Sequence, residues 1–310
     1  MRESLWIEAE DETAIHVMKW TKETTPRAIV QLSHGMVEHI ERYDELARFF
    51  VKHDLYVYGN DHRGHGQTGE HQGKLGFFAE RHGFDKVTHD LYMVTQQIKL
   101  DYPETPIILL GHSMGSFLAR KYIQLYSQEI VAVVLSGTTY ASPVEIFFGK
   151  QAANVTDPFQ KAPYLNQLIF GLNNRKVIEP LTDFDWLTGD RESVQTYIAD
   201  PLCGFVPTGQ FFRDLFSGLA DIHNQAKNSH IPCDLPMLFI SGEQDPVGKY
   251  GKNIWKAANV YKELGMSNIM VALFHEGRHE LFHEINKQDV FQFVYKWIDD
   301  ILTNLNESCG

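Results

Sequence analysis

The sequence carries one serine in the setting that makes a hydroxyl group a nucleophile. Gly111-His-Ser113-Met-Gly115 follows the apolar run Ile107–Leu110 and precedes a stretch with helical spacing. A serine on a tight turn between a strand and a helix needs glycine on both sides, because the strained backbone leaves no room for neighbouring Cβ atoms. The pattern therefore predicts that the Ser113 hydroxyl stands above a sheet, at the N-terminus of a helix.

A serine nucleophile needs a base and a carboxylate that orients the base, and in this setting the carboxylate precedes the base in the chain. Two candidates for the carboxylate follow the apolar run Met237–Ile240, namely Glu243 and Asp245. We prefer Asp245, because the proline at position 246 fixes a turn that can hold a carboxylate still. Glu243 stays as the alternative.

The base has three candidates near the end of the next apolar run, Ile269–Phe274. His275 lies close to the predicted strand, His279 lies four residues further on, and His283 lies deeper in the following segment. We prefer His279, which like the preferred carboxylate comes just past a strand end. Sites in open α/β sheets gather at the carboxyl ends of the strands.

The tetrahedral intermediate of acyl transfer needs N–H groups that donate to its oxyanion. One donor is the residue after the nucleophile, Met114. The other comes from the loop after the third strand, where Gly35 allows a close approach and Met36 supplies its N–H. We interpret the neighbouring His34 and His112 as residues that stabilise these loops by hydrogen bonds.

A competing motif overlaps the proposed base. His279-Glu280-Leu-Phe-His283 matches the His-Glu-x-x-His pattern of zinc peptidases. That chemistry needs one uninterrupted helix through both histidines and a third ligand. Gly277 just upstream argues against such a helix, and no third-ligand motif follows. We therefore predict no metal and no cofactor, since glycine-rich phosphate loops are also absent from the sequence.

Apolar runs alternate with stretches of helical spacing along most of the chain. After an edge pair, Leu5–Ala9 and Ala14–Lys19, the predicted strands are Ala28–Ser33, Leu55–Tyr58, Ile107–Leu110, Val131–Leu135, Met237–Ile240 and Ile269–Phe274. The predicted helices are Tyr43–Val51, Phe84–Leu100, Ser116–Tyr126, Asn253–Leu264 and Asp289–Leu305. This alternation predicts an α/β fold with a mostly parallel central sheet flanked by helices.

The alternation stops at about Gly137, and the following sequence is rich in aromatic residues and proline. We predict a core in two parts, residues 1–137 and 231–310, with an inserted helical cap or lid over residues 138–230. The cap aromatics can fill a core of their own or line a channel for an acyl chain. The second interpretation places Phe147, Phe148, Phe211, Phe212 or neighbouring aromatics against substrate.

Composition bounds the class of protein. The 310 residues are 43% hydrophobic with a net charge of −12, which argues against a nucleic-acid partner. Cys203, Cys233 and Cys309 are too few and too scattered for a disulfide framework or a cysteine-rich metal site. The sequence shows neither a transmembrane run nor a signal-peptide pattern. We expect a cytoplasmic protein that binds a small-molecule ester or lipid, with transient membrane-surface contact through the cap.

Five motifs in order resemble the monoglyceride lipase and lysophospholipase branch of the α/β-hydrolases, which includes the serine aminopeptidase S33-type hydrolases. They are His34–Tyr43, Asn60–Gly66, Gly111–Gly115, Gly242–Pro246 and Glu276–Glu280, and the cap adds Phe184–Trp186 and Asp200–Gly204. The resemblance implies the α/β-hydrolase fold. For the site it implies the triad Ser113, Asp245 and His279. It also implies Met36 and Met114 as the amide donors to the oxyanion, and it places Glu38 and Arg42 near the polar end of the substrate site. One departure is Phe282, where animal monoglyceride lipases have a second histidine.

We therefore expect a serine carboxylic-ester hydrolase that forms an acyl-enzyme on Ser113 and acts on single-chain lipid esters such as monoacylglycerol or lysophospholipid. The same triad would serve a short-chain or aryl esterase, an aminopeptidase or a thioesterase. A non-catalytic binding protein on the same fold and the zinc peptidase are the alternatives of other classes.

Overall fold

Eight strands form one sheet in the computed structural model, which describes residues 1–308; Cys309 lies outside the described residues. The strands are β1 Arg2–Glu8, β2 Ala14–Trp20, β3 Ala28–Ser33, β4 Leu55–Asn60, β5 Ile107–His112, β6 Ala132–Ser136, β7 Met237–Gly242 and β8 Ile269–Phe274. Their order across the sheet is β1-β2-β4-β3-β5-β6-β7-β8. Each predicted strand is present, and the edge pair β1–β2 is antiparallel as expected.

From β4 to β8 every neighbouring pair of strands is parallel. The register aligns the carboxyl ends of the strands: His112 pairs with Ser136, and Gly242 pairs with Phe274. The loops that follow β5, β7 and β8 therefore start from the same edge of the sheet. This alignment brings together residues that are far apart in the chain.

Helices cover both faces of the sheet. They are α1 Asp44–Lys52, α2 Gly66–His71, α3 Gly83–Asp101, α4 Met114–Tyr126, α5 Pro143–Asn154, α6 Pro163–Phe170, α7 Arg191–Ala199, α8 Gly209–Ile222, α9 Gln225–Asn228, α10 Lys252–Lys262 and α11 Lys287–Ser308. Successive strand residues point to opposite faces, so Leu109 packs with α3 and α4 while Ile108 packs with α1 and α11. Burial on both faces explains why β5 is apolar almost throughout. The predicted α/β class is confirmed.

The segment between β6 and β7 carries the short helices α5 to α9. Helix α5 starts at a capping box, in which the side chains of Ser142 and Glu145 bond reciprocally to backbone N–H groups. Helix α8 packs against α3, α4 and α5. The boundaries of a separate cap at residues 138 and 230 stay a prediction. No helix within residues 1–308 is long and apolar enough to cross a membrane.

The channel interpretation names Phe147, Phe148, Phe211, Phe212 or neighbouring aromatics, and the structure excludes the four named residues from the lining. Phe211 and Phe212 on α8 are fully buried in the main hydrophobic core. Phe147 and Phe148 on α5 are 56% and 66% exposed and do not line the cavity that contains Ser113. Phe211 packs on Phe78, with 4.7 Å between ring centroids, so its apolar surface is used within the core.

Candidate active site

Ser113 stands at the turn between β5 and α4. Its backbone adopts φ 50° and ψ −119°, a strained conformation for a residue with a side chain. A Cβ atom on Gly115 would lie 2.0 Å from the carbonyl oxygen of Ser33, and one on Gly111 would lie 2.4 Å from that of Gly115. The close backbone approach thus explains both glycines of the motif.

His279 lies in the loop after β8 and contacts the nucleophile. Its Nε2 is 2.9 Å from Ser113 Oγ, and its Nδ1 is 3.0 Å from Asp245 Oδ1. A carboxylate only accepts, so Nδ1 carries the imidazole proton and Nε2 is free to accept from the serine hydroxyl. His279 and Asp245 are both buried. The arrangement can move a proton from the serine to the imidazole.

Asp245 is held by two further donors. The Ser241 hydroxyl donates to Oδ2 at 3.0 Å, and the Val247 N–H donates to Oδ1 at 2.8 Å. Both carboxylate oxygens are therefore occupied, which stops the side chain from rotating away from His279. Sequence reasoning missed Ser241 as a positioning residue. Its signal was a polar residue at the end of an otherwise apolar strand, four positions before the carboxylate.

The structure separates the competing candidates from the nucleophile. Glu243 and His275 bond to each other at 2.9 Å on the exposed surface. His283 is half-buried and contacts the ring of Tyr43, at 5.6 Å between centroids. Of the candidates drawn from the sequence, Asp245 and His279 are the ones that the fold brings to Ser113.

Two opposing effects act on the pKa of His279. Burial favours the neutral imidazole, but the negative charge of Asp245 and the hydrogen bond to it favour the protonated form. Together with the negative charges of Glu280 and Glu38, Asp245 outweighs burial, and the pKa of His279 is raised above its ordinary value. A histidine with a raised pKa is a stronger base for the Ser113 proton.

The zinc-peptidase geometry is not formed. His279 and Glu280 lie in a loop, Leu281–His283 is one 3₁₀ turn, and α11 starts only at Lys287. The Glu280 carboxylate is occupied by Arg42, with two N–H···O contacts of 2.7 Å. Without one continuous helix, the two histidines of the motif do not share a helical face.

The loop after β3 lies directly against the nucleophile. A Cβ atom on Gly35 would be 3.3 Å from Ser113 Cβ, and Met36 lines the same cavity as Ser113. Met114 is the first residue of α4, and the first N–H groups of a helix have no intrahelical partner. Both amides are therefore near the nucleophile, and their role as oxyanion donors stays a prediction.

A buried charge network joins this loop to the loop of His279. Glu38 accepts from the Gly35 N–H at 2.5 Å and from the Tyr43 hydroxyl at 2.8 Å, and Arg42 bridges Glu38 to Glu280. Burial raises the pKa of Glu280, but the Arg42 guanidinium outweighs it and lowers that pKa to about 2. Glu38 lines the cavity; Arg42 holds Glu38 and is not among the described residues that line it.

A cavity of about 200 Å³ opens over Ser113. Its apolar wall combines two residues of the β3 loop with cap residues: Met36, Val37, Phe170, Phe184, Trp186, Leu187, Tyr197 and Phe205. Polar cap residues complete it: Asn166, Gln167, Asn174 and Asp183. The Trp186 ring lies 5.2 Å from the His279 ring and stacks on Phe170 at 5.5 Å. Sequence reasoning missed these aromatic residues as site residues, although their composition marked the region.

Known proteins resemble this chain over most of its length. The family model described as serine aminopeptidase, S33, matches residues 24–286. A monoacylglycerol lipase of Mycolicibacterium smegmatis is 29% identical over 286 residues, covering 90% of each chain. The human monoglyceride lipase is 27% identical, covering 90% of this chain and 84% of its own.

Solved structures share the fold. A thermostable carboxyl esterase from Bacillus coagulans, crystallised with glycerol, superposes with a TM-score of 0.89 at 24% identity, covering 97% of this chain and 99% of its own. A soluble variant of monoglyceride lipase from Saccharomyces cerevisiae, with a substrate analogue, gives 0.74 at 20% identity, covering 97% and 95%. At these identities the likeness establishes the fold.

Proposed function

Because the chain belongs to the serine aminopeptidase S33 family of hydrolases, we propose that it cleaves esters through an acyl-enzyme on Ser113. The chain is a carboxylic ester hydrolase. The observation that carries the proposed mechanism is the hydrogen-bonded series from Ser113 Oγ through His279 to Asp245, with contacts of 2.9 and 3.0 Å. Nucleophile, base and orienting carboxylate are the three parts that acyl transfer requires.

In the first half of the reaction His279 Nε2 takes the Ser113 proton while Oγ bonds to the ester carbonyl carbon. The N–H groups of Met36 and Met114 donate to the resulting oxyanion. His279 then gives its proton to the alkoxy oxygen, the carbon–oxygen ester bond breaks, and the alcohol leaves. Asp245 stabilises the imidazolium that forms between these steps.

In the second half a water molecule attacks the acyl-enzyme. His279 takes a proton from the water as its oxygen bonds to the acyl carbon, and the same two amides hold the oxyanion. The imidazolium then returns the proton to Ser113 Oγ as the acyl–serine bond breaks. The fatty acid leaves, and the serine hydroxyl is restored without a cofactor.

The proposed substrate is a single-chain lipid ester such as a monoacylglycerol or lysophospholipid. Two observations support it: the wall beside His279 is aromatic and aliphatic, and the relatives described above carry monoacylglycerol and monoglyceride lipase names. Glu38, which also lines the cavity, supplies a polar contact for the head group.

A series of acyl esters with rising chain length tests this substrate class. Each buried CH₂ contributes about 0.8 kcal/mol, close to a fourfold gain in binding, so kcat/KM should rise steeply until the acyl part of the cavity is full and then fall. Ser113→Ala protein supplies the background rate. A maximum at acetyl or butyryl esters would contradict the lipid substrate and leave the esterase mechanism standing. Higher rates on amides or thioesters would favour the corresponding alternative.

The cap also supports a transient membrane-surface contact. Most of its large exposed apolar side chains lie between residues 144 and 181, namely Val144, Phe147, Phe148, Val155, Phe159, Tyr164, Leu168, Leu172, Ile178 and Leu181. Because the net charge is −12, binding of the chain to a membrane surface would depend on burial of these apolar side chains.

The double variant Phe147→Ser, Phe148→Ser should bind neutral phosphatidylcholine vesicles several-fold more weakly than the unchanged chain. Leu100→Ser, at an exposed leucine of α3, is the matched control. Equal binding of the unchanged chain, the double variant and Leu100→Ser would contradict this proposal.

The cytoplasmic location stays a prediction.

A further inference from the structure

Three side chains with metal-ligating atoms meet where the β3 loop touches the cap. They are His39, Asp200 and Cys203, and one ligand atom from each lies within 4.8 Å of the other two. His39 precedes the 3₁₀ turn Ile40–Tyr43, and Asp200 and Cys203 follow α7. We call these three residues the cap–loop cluster. The mechanism proposed above uses none of them.

The donors of the cap–loop cluster suit a zinc-class divalent cation. Imidazole nitrogen, carboxylate oxygen and thiolate sulfur are the ligands of protein zinc sites, at bond lengths of about 2.0–2.3 Å. A tetrahedral ion with such bonds separates its ligand atoms by about 3.4 Å. His39 Nε2 and Asp200 Oδ2 are now 2.8 Å apart. Small side-chain movements therefore suffice to surround an ion, and the fourth position stays open for water.

The surroundings favour such an ion. His39 and Cys203 are only 6% and 9% exposed, so the ion would be shielded from solvent. The neighbouring cation Arg42 is already paired with Glu38 and Glu280, which leaves the area with net negative charge. The Leu202 N–H donates to Asp200 Oδ1 at 2.8 Å and points the other oxygen toward His39. Such support of a ligand by a second hydrogen bond is typical of metal sites.

The cluster spans two segments that both form the wall of the active-site cavity. The Gly204 N–H and the Tyr197 hydroxyl donate to the Val37 carbonyl at 2.9 and 3.1 Å. Val37, Tyr197 and Gly204 all line the cavity. An ion held by residues of both segments would add a metal cross-link beside these two hydrogen bonds.

We propose that His39, Asp200 and Cys203 bind one Zn²⁺-class cation that ties the cap to the β3 loop. Binding releases the Cys203 thiol proton to solvent as the thiolate bonds to the ion. Because the ion binds the folded chain, it raises the free energy of unfolding. The proposal does not depend on ester hydrolysis, since none of the three ligands touches Ser113 or His279 in the hydrogen-bonded series.

Co²⁺ titration of the metal-free chain tests the site. The parent is the full chain with Cys233→Ser and Cys309→Ser, in which a thiolate-to-cobalt charge-transfer band can come only from Cys203. We expect one Co²⁺ per chain with this band, which Zn²⁺ removes by competition. Cys203→Ser should abolish the band, and His39→Gln should raise the Kd at least on the order of tenfold. Ser113→Ala should bind as the parent does.

Two further variants, one at a proposed ligand and one at an exposed control residue, add a second measurement to the test. Asp200→Asn preserves side-chain size, and it should lose the rise in Tm that Zn²⁺ produces in the parent. His275→Gln, at an exposed histidine, should keep both the band and the rise. A parent without the charge-transfer band would overturn the proposal. So would Co²⁺ binding that survives Cys203→Ser but is lost in His283→Gln, because the ion would then occupy the His279–His283 motif.

Discussion

The loops at the sheet edge and the helices of the cap are built on different principles. The reacting side chains of Ser113, His279 and Asp245 extend from three parallel strands, and their polar atoms are partnered within hydrogen-bond distance. The cap instead leaves large apolar side chains in solvent, with Leu172 and Ile178 as examples. A strand end is held by its ladder of backbone hydrogen bonds, whereas a short helix is held by the surface it buries. Under the proposed mechanism, the reacting side chains therefore follow strand ends, whereas residues of the cap form most of the cavity wall.

Within the cap itself, buried and exposed aromatic side chains also contrast. Helix α8 buries Phe211 and Phe212 completely, while α5 exposes Phe147 and Phe148. The two pairs have identical composition and spacing. Their different surroundings show that an aromatic pair in this segment acquires its role from the element it packs against.

The largest effect should come from removing the nucleophile. Ser113→Ala should abolish labelling by a fluorophosphonate probe, because the probe bonds to an activated serine oxygen. Ser241→Ala should still be labelled, although it loses a hydrogen bond to Asp245. Mass-spectrometric mapping of the label gives the result. Labelling of folded Ser113→Ala protein would mean that the nucleophile is not at the β5–α4 turn.

The next effect should come from the carboxylate that orients the base. Asp245→Asn should lower kcat on the order of 10⁴-fold, the loss known for the same change in a serine protease, because the imidazole then adopts the wrong tautomer. Glu243→Gln is the matched control, since Glu243 contacts exposed His275. Steady-state kinetics of the two variants compares them. A larger loss in Glu243→Gln would reverse the assignment of the two carboxylates.

A third test compares the two phenylalanine pairs by stability. Phe212→Ala should lower the free energy of unfolding by about 3–5 kcal/mol, because it opens a cavity in the core. Phe148→Ala should change it by less than about 0.5 kcal/mol, since that ring is 66% exposed. Urea unfolding followed by circular dichroism measures both. Similar losses would mean that α5 and α8 are equally embedded.

The smallest effect concerns pH. Only neutral His279 can accept the serine proton, and its pKa is raised above 6.5 by Asp245 against the effect of burial. The kcat/KM should therefore fall as the pH decreases through this raised value, with an acidic limb above pH 6.5. In Asp245→Asn the limb should move to lower pH, because burial is then opposed only by the more weakly acting charges of Glu280 and Glu38. His275→Gln should leave the limb in place. If the acidic limb keeps its pH in Asp245→Asn, the group that titrates there is not His279.

The positions of the strands and of Ser113 were predictable from the sequence, because both depend on local patterns. Buried parallel strands require continuous apolar runs, and the strained turn at the nucleophile requires its two glycines. In the sequence, only the following proline favours Asp245 over Glu243. The 3.0 Å contact between Asp245 Oδ1 and His279 Nδ1 depends on the fold. The assigned roles of these residues stay predictions that the variants above test.

Tertiary structure alone decided the lining of the cavity and the pairing of its charges. Arg42 and Glu280 are 238 residues apart in sequence yet form a bidentate pair, and no local pattern connects them. Trp186 and Phe170 lie beside His279, while Phe211 and Phe212, equally aromatic, fill the core. Hydrophobicity determines that such rings are buried, but it is non-directional. Which ring meets the substrate therefore depends on how the short cap helices pack, and that is set by contacts distant in the chain.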